Sequence, residues 1–452
     1  MVGIGGRSKA CDNCRQRRVK CDLTRPACLR CRKRRLQCGG PQDIAIIPYK
    51  DQSHAVVSSS NTERTSVMNN SPCCRVATTL SIPHDAVYIS YTHTHLLDGN
   101  EAIVLRPSID RSITSECFLA LSTTYFGIKH RQKWIVTCGL SRYGGAIRSV
   151  HEALAKDDAS RSFDVLEAVM IMAVIEGLIS EREDGWINHA RGLEKLLERQ
   201  GPQRMTSLPS LVVLERCRAT MIFAAIVLRK TTIVAKPEWK ALPWVQYPGR
   251  LHSLKRLIDI LADCPELFVL RERTEQPLKT LDDHQSQMQT LLSKTQAVLN
   301  GLHHWEHGWR YGVNDAYTEV EAPETTPVVL DRHGMPTPAW STIFRYKSLY
   351  HASCLTIYHA TLILVLRFLD GLNVALHQIR NAGLIICRSV DYHLTQTWTE
   401  VGAVNLLFPL RMAFEAMGRE APAIGTWLRT ALDDISAGRR GLWKSAKAVL
   451  EL

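Results

Sequence analysis

The sequence lacks the segments that would direct a chain out of the cell or into a membrane. Its first residues, MVGIGGRSKAC, contain no apolar run of signal-peptide length, and Val2 stands where N-myristoylation requires glycine. The most apolar stretches, 165–179 and 352–369, are short for a membrane span and contain charged or titratable residues. We therefore expect a protein that is neither secreted nor lipidated at its N-terminus, with both stretches forming buried helices.

The signatures of several common enzyme classes are absent as well. The sequence has no convincing nucleophile elbow, no phosphate-binding P-loop and no dinucleotide-binding glycine fingerprint. These absences argue against the hydrolases, nucleotide-dependent enzymes and oxidoreductases that carry such motifs. We expect that the chain is not an enzyme.

Positive charge is present, and it is concentrated in one short segment. The chain of 452 residues has a formal net charge of +12. Residues 7–38 hold twelve Lys and Arg residues against two Asp residues, a local charge of +10 that leaves only +2 for the remainder. Such a local positive field is typical of a segment that binds a polyanion, and nucleic acid is the commonest one.

Cysteine is concentrated in the same segment. Six of the fourteen cysteines follow the spacing C-x2-C-x6-C-x6-C-x2-C-x6-C, and they are Cys11, Cys14, Cys21, Cys28, Cys31 and Cys38. In an intracellular chain, clustered cysteines indicate metal binding or catalysis rather than disulfides. Zinc takes four ligands, so six cysteines can serve two ions only if two sulfurs are shared. The count predicts a binuclear zinc cluster.

Two other interpretations of this cluster stay open. One is a zinc hydrolase, although catalytic zinc usually keeps a position open for water, whereas sites closed by thiolates are structural. The other is a zinc–thiolate module that docks a protein or stores zinc without sequence-specific DNA binding. That alternative leaves the local charge of +10 without an explanation.

The segment CDNCRQRRVKCDLTRPACLRCRKRRLQC resembles the DNA-binding domain of the fungal zinc-cluster transcription factors. Cysteine spacing, the basic run and a loop proline, here Pro26, all match that family. The resemblance implies two Zn²⁺ ions that share Cys11 and Cys28, while the second and third cysteines of each half complete one site. It also implies double-stranded DNA and the transcription machinery as partners, and the nucleus as the location.

The resemblance further implies which residues contact DNA. Arg17 and Arg18 occupy the positions that read a CGG-like triplet in the major groove, where guanidinium groups can bind guanine O6 and N7. Arg15 and Lys20 are expected at phosphates or in solvent. The predicted function is therefore a sequence-specific transcription factor of RNA polymerase II genes, and many relatives regulate metabolic or secondary-metabolite genes.

Composition predicts how the rest of the chain is organised. Residues 1–10 are an N-terminal tail, 11–38 the zinc-cluster domain, and 39–108 a largely disordered linker whose first half is rich in Ser, Asn, Thr and Pro. In many relatives a coiled coil follows the cluster and forms a homodimer, but no sustained heptad appears here. The oligomeric state therefore stays open.

Residues 109–452 predict a large all-α domain, because apolar residues recur with helical spacing between Pro and Gly residues. The phrase GWINHARGLEKLLERQGP at 185–202, with LIICRSVDYHL and LLFPLRMAFE, resembles the fungal-specific transcription factor domain found downstream of such clusters. The candidate helices are 112–130, 147–156, 165–179, 186–199, 211–230, 251–261, 278–303, 342–369 and 374–394.

Three weaker patterns in this domain each have a plain interpretation. His303 and His307 have the i, i+4 spacing of metal ligands, yet no third ligand is near in sequence, so a helix surface is favoured. The acidic segment 312–331 could be an activation patch, and a solvated loop is the favoured interpretation. Trp186 and His189 share a helix face that fits ordinary packing as well as a regulatory surface.

Overall fold

A computed structural model divides the chain into two units, residues 1–78 and 79–452, which are described separately. In the first unit the structure describes 11–38, apart from 18, 23, 25–27, 35 and 37. In the second unit it describes 84–97, 112–156, 163–180, 184–250, 252–276, 281–312, 315–331, 333–369, 373–395 and 401–436. The predicted tail at 1–10 and the linker residues 39–83 and 98–108 lie outside these ranges.

The described residues of the first unit form two short helices, α1 (Asp12–Gln16) and α2 (Leu29–Lys33). The second unit is built mainly from helices, which confirms the predicted fold class. They are α3 (His84–His95), α4 (Ile113–Lys129), α5 (Lys133–Leu154), α6 (Phe163–Ile179), α7 (Asp184–Gln200), α8 (Leu208–Leu228), α9 (Pro237–Ala241), α10 (Ser253–Leu261), α11 (Cys264–Glu275), α12 (Leu281–Gly312), α13 (Leu349–Leu366), α14 (Asn373–Thr395), α15 (Val401–Ala413) and α16 (Pro422–Ser436).

Helix α6 is the buried helix that its apolar sequence predicts, and it also fixes the start of α4. The carboxylate of Asp164, in the first turn of α6, accepts hydrogen bonds from the backbone N–H groups of Ile113 and Thr114, both at 3.1 Å. Ser112 caps α4 through its hydroxyl, which accepts from the N–H of Ser115 at 3.1 Å. These bonds satisfy N–H groups that a helix start leaves without partners.

The segment Leu349–Leu369 is long and apolar enough to cross a membrane by composition. Its helix, α13, is instead packed among α10, α12, α14 and α15, and most of its side chains are buried in the protein core. This placement agrees with the predicted buried helix. The predicted start at residue 342 is wrong, because residues 342–346 form a strand and the helix begins after Ser348.

Among the residues that the structure describes, four short strands are the exception to the helical fold. Strand β1 (Tyr317–Glu321) pairs antiparallel with β4 (Thr342–Tyr346), and β2 (Val328–Leu330) pairs antiparallel with β3 (Pro336–Pro338). The acidic segment 312–331 therefore contains two strands, whereas its composition favours a loop. The TIFRY sequence of β4 is rich in the β-branched and aromatic residues that favour strands.

Residues 84–95, which composition assigned to the linker, form helix α3 instead. Tyr88 and Tyr91 pack against Phe126 of α4, with ring centroids 4.7 and 5.2 Å apart. The helix is thus held by tertiary contacts rather than by a strong apolar pattern of its own. The described part of the helical unit therefore begins at His84, earlier than the predicted boundary at residue 109.

Candidate metal centre

In the first unit, the segment 11–38 consists of two halves that repeat after seventeen residues. Cys11, Cys14 and Cys21 correspond to Cys28, Cys31 and Cys38, and α1 corresponds to α2. The backbone repeats too, because the N–H of Val19 donates to the carbonyl of Cys14 and the N–H of Leu36 donates to that of Cys31, both at 3.0 Å. Similar local sequences therefore bring three thiols from each half to one place.

The six sulfur atoms form two overlapping groups of four. Within each group all sulfurs lie within 4.8 Å of one another, and the groups are Cys11, Cys14, Cys21, Cys28 and Cys11, Cys28, Cys31, Cys38. Both groups contain the first cysteine of each half. Two sites that share two ligands are the arrangement that the count of six cysteines requires for two four-coordinate ions.

The distances between sulfurs fit zinc coordination. Sγ of Cys11 lies 3.7 Å from Sγ of Cys28 and 3.8 Å from Sγ of Cys31, and Sγ of Cys14 lies 3.7 Å from Sγ of Cys28. A tetrahedron with zinc–sulfur bonds of about 2.3 Å has edges of about 3.8 Å. A disulfide would bring the sulfurs to about 2.05 Å. The donor set and its spacing therefore match a zinc–thiolate cluster.

The thiols form the interior of the segment 11–38, as far as the structure describes it. Cys11, Cys14, Cys28 and Cys31 are at most 2% exposed, and the other hydrophobic residue that the structure describes against them, Val19, is half-buried. Burial raises the pKa of the Cys11 and Cys14 thiols, which favours their neutral form when no cation is bound. A bound metal stabilises the thiolate form, so metal binding and folding of this unit are coupled.

Asp22 links the loop between the halves to the second helix. Its Oδ1 accepts hydrogen bonds from the N–H of Thr24 at 3.2 Å and of Leu29 at 3.0 Å, and its Oδ2 accepts from the N–H of Arg30 at 3.1 Å. The pKa of the Asp22 carboxyl is held well below its usual range by hydrogen bonds that stabilise the carboxylate. The largest effect comes from the Thr24 hydroxyl, and smaller ones come from the backbone N–H groups of Leu29, Arg30 and Thr24. The sequence interpretation missed this residue and counted it only as a negative charge.

We expect Asp22→Ala to weaken zinc retention, because the first turn of α2 then loses the acceptor for its N–H groups and the chain is less well held between Cys21 and Cys28. The measurement is a competition for zinc between the full chain and a coloured chelator. Asp22→Ala should release zinc at a several-fold lower chelator concentration than the wild type. Asp22→Asn, which keeps an acceptor oxygen, should lie between them, and equal zinc retention in all three proteins would contradict this role.

The basic side chains described in this unit lie on its outside. Arg17, at the end of α1, and Lys20 are exposed. In the second half the exposed basic residues are Arg30, Arg32, Lys33 and Arg34. Of the other predicted DNA contacts, Arg15 lies in α1 with its side chain outside the described residues, and Arg18 lies outside them altogether. The arrangement is a sulfur interior with a positively charged surface.

The weaker candidates do not join a metal site in the part of the chain that the structure describes. There, the groups of three or more side chains placed to hold a metal are the two cysteine groups, so His303 and His307 of α12 belong to neither. His189 lies with its Nε2 3.1 Å from the hydroxyl of Tyr143, and Leu193 is fully buried. These contacts support packing as the role of that face of α7.

Comparisons with known proteins agree with both units. Residues 9–44 match the fungal Zn(2)-Cys(6) binuclear cluster domain, and residues 74–417 match the fungal specific transcription factor domain. A protein of Emericella nidulans, whose name describes it as uncharacterized, is 26% identical over 123 residues, which are 27% of this chain and 26% of that protein. The chain thus aligns with about a quarter of that relative. No solved structure matches the present chain.

Proposed function

Because the chain belongs to the family of fungal transcription factors that combine a Zn(2)-Cys(6) cluster with a fungal specific transcription factor domain, we propose that it binds DNA sequence-specifically and regulates RNA polymerase II genes. The Zn(2)-Cys(6) domain binds two zinc ions, and the family implies a nuclear protein.

Cys11 and Cys28 are the proposed shared ligands, because their sulfurs occur in both groups of four. Cys14 and Cys21 complete one site, and Cys31 and Cys38 complete the other. Zinc supplies structural cross-links between the two halves and holds α1 and α2 in one orientation. The protein's own contribution to DNA binding is the exposed basic surface around that centre.

The observation that carries the proposal is the division between buried sulfurs and exposed cations. Arg17 and Arg18 follow directly on α1, so a helix end placed in the major groove would bring guanidinium groups to base edges. Arg15, Lys20 and the basic residues of the second half supply phosphate contacts, which position the unit and make affinity sensitive to salt. The target is a CGG-like triplet.

A mobility-shift experiment with the full chain tests this function. Duplexes that contain CGG should be shifted at moderate salt, duplexes with a scrambled triplet should be shifted weakly, and a zinc chelator should remove the specific shift. A shift that depends on neither sequence nor chelator would refute the proposal. The chain would then fit the alternative of a zinc–thiolate module that binds another protein.

The repeat of the two halves offers a matched pair of variants for base reading. We expect Arg17→Ala, like Arg18→Ala, to reduce discrimination between CGG and a mutated triplet by about 1–3 kcal/mol. Arg34 stands seventeen residues after Arg17 and is also exposed, and Arg34→Ala should weaken binding to all duplexes alike. The measurement is the ratio of dissociation constants on the two duplexes. Equal ratios for Arg17→Ala and Arg34→Ala would assign Arg17 to phosphate contact.

A further inference from the structure

The helical unit contains a large open cavity that the DNA-binding function does not use. Its volume is about 1030 Å³, and it is lined by residues of α7, α8, α9, α10, α11 and α12 and by the segment between α8 and α9. Cavities that hold small molecules commonly have volumes of 300–1,000 Å³. The space is therefore large enough for an organic molecule of moderate size.

The floor of the cavity is apolar. Met221 and Ala225 of α8, Leu267 of α11 and Val298 of α12 line it, and each is less than a tenth exposed. Ala224, the neighbour of Ala225, adds a second small side chain, so that α8 leaves room in front of it. A surface of this kind favours a ligand with an apolar body, because contact between the two removes apolar surface from water, which lowers the free energy.

One polar group in the cavity wall is buried without a partner. Thr232 is 4% exposed, and its Oγ1 has no hydrogen-bond partner among the residues that the structure describes. A buried hydroxyl without a partner is unfavourable, since it loses its hydrogen bonds to water. A polar atom of a bound molecule would satisfy this hydroxyl.

The rim of the cavity carries more positive than negative groups. Six basic and four acidic side chains line it. All four acidic groups already have partners. Three of them form ion pairs, which are Asp263 with Lys240 (2.6 Å), Glu266 with Lys294 (3.2 Å) and Glu198 with Lys236 (3.9 Å). The fourth, Glu194, accepts a hydrogen bond from the backbone N–H of Ile233 at 2.8 Å.

Three exposed cations of the rim are not neutralised in this way. Arg191 and Lys195 stand one turn apart on α7, and Lys230 follows the end of α8. Among the residues described, none forms an ion pair with any of the three. Helices α7 and α8 pack against each other, so these cations can act on one bound anion.

We propose that this cavity binds an amphipathic carboxylic acid, with its apolar body on the floor and its carboxylate toward Arg191, Lys195 and Lys230. The surplus of two positive charges suits a single carboxylate better than a polyphosphate, and the apolar floor suits a hydrocarbon or aromatic body. Binding of such an acid would be a property of the helical unit, separate from DNA binding by the zinc cluster.

Calorimetric titration of the full chain with dodecanoate, below its micellar concentration, tests the proposal. Dodecanol serves as the neutral probe with the same hydrocarbon chain. We expect dodecanoate to bind saturably at one molecule per chain, and dodecanol to bind at least about fivefold more weakly because it lacks the charge. Equal binding of the two probes, or no saturable binding of dodecanoate, would overturn the proposal.

Variants of the lining residues locate the site. Ala297 is an exposed residue of α12 that lines the cavity, so Ala297→Trp should place an indole ring in the cavity without disturbing the core and should weaken dodecanoate binding. The double variant Lys195→Gln, Lys230→Gln should bind dodecanoate more weakly than the wild type and should bind dodecanol with unchanged affinity. Lys156→Gln, an exposed lysine outside the cavity, is the matched control and should bind both probes like the wild type.

Thr232→Val tests the buried hydroxyl separately. Valine has nearly the same shape, so the variant should be at least as stable as the wild type when no ligand is bound, and it should bind dodecanoate about twofold to tenfold more weakly. Dodecanoate affinity that no lining variant changes would place the ligand elsewhere and refute the site. These outcomes are independent of DNA binding, which the mobility shift measures.

Discussion

Replacing Cys28 by serine is expected to abolish specific DNA binding and to release zinc from both sites. The sulfur of Cys28 belongs to both groups of four cysteines and lies 3.7 Å from the sulfurs of Cys11 and Cys14. It also caps α2, where it accepts from the N–H of Cys31 at 3.4 Å. Serine can still accept that capping hydrogen bond, so the substitution removes mainly the sulfur of the proposed shared ligand. Because metal binding stabilises this unit, its fold should be lost.

The measurement combines zinc content per chain with the mobility shift on a CGG duplex. Cys21 belongs to one group only, so Cys21→Ser should affect one site first and retain more zinc than Cys28→Ser. Cys138 of α5 is a half-buried cysteine outside both groups, and Cys138→Ser should keep two zinc ions and normal DNA binding. Two zinc ions retained by Cys28→Ser would show that Cys28 is not a shared ligand.

The arrangement of this site could be predicted from the sequence because the same cysteine spacing occurs in both halves. Two halves with one spacing, six thiols and a four-coordinate metal leave few solutions, and sharing of two sulfurs follows from the count. Asp22 could not be found in that way. It joins Thr24 to the N–H groups of Leu29 and Arg30, and a bond across seven or eight residues through a loop leaves no periodic signal.

The helical unit shows the same division between local pattern and tertiary context. Helices such as α6 and α14 begin and end within about two residues of the predicted bounds, because their apolar patterns are long and polar segments flank them at both ends. The segment that starts at residue 342 continues through β4 into α13 without Pro or Gly, so the sequence has no break that separates the strand from the helix. Helix α3 depends on aromatic contacts with α4, which composition does not show.

Asp259→Ala is expected to destabilise the helical unit by about 3–5 kcal/mol. Asp259 of α10 forms an ion pair with Arg218 of α8, whose side chain is 3% exposed. Burial is the main influence on both groups, since it raises the pKa of Asp259 and lowers the pKa of Arg218. The substitution would leave a guanidinium that stays charged in the core, next to the ring of buried Trp244, whose centroid is 5.5 Å away.

The double variant Arg218→Met, Asp259→Leu separates the loss of a partner from the value of the pair. Desolvation opposes the attraction between buried charges, so an apolar pair of similar volume should recover most of the stability lost by Asp259→Ala. The measurement is the urea midpoint of unfolding for each variant of the full chain. Arg380→Met removes an exposed cation that pairs with Glu420, both about 60% exposed, and should cost at most about 1 kcal/mol. A double variant as unstable as Asp259→Ala would mean that the ion pair itself stabilises the fold, because no unpaired charge would then remain to account for the loss.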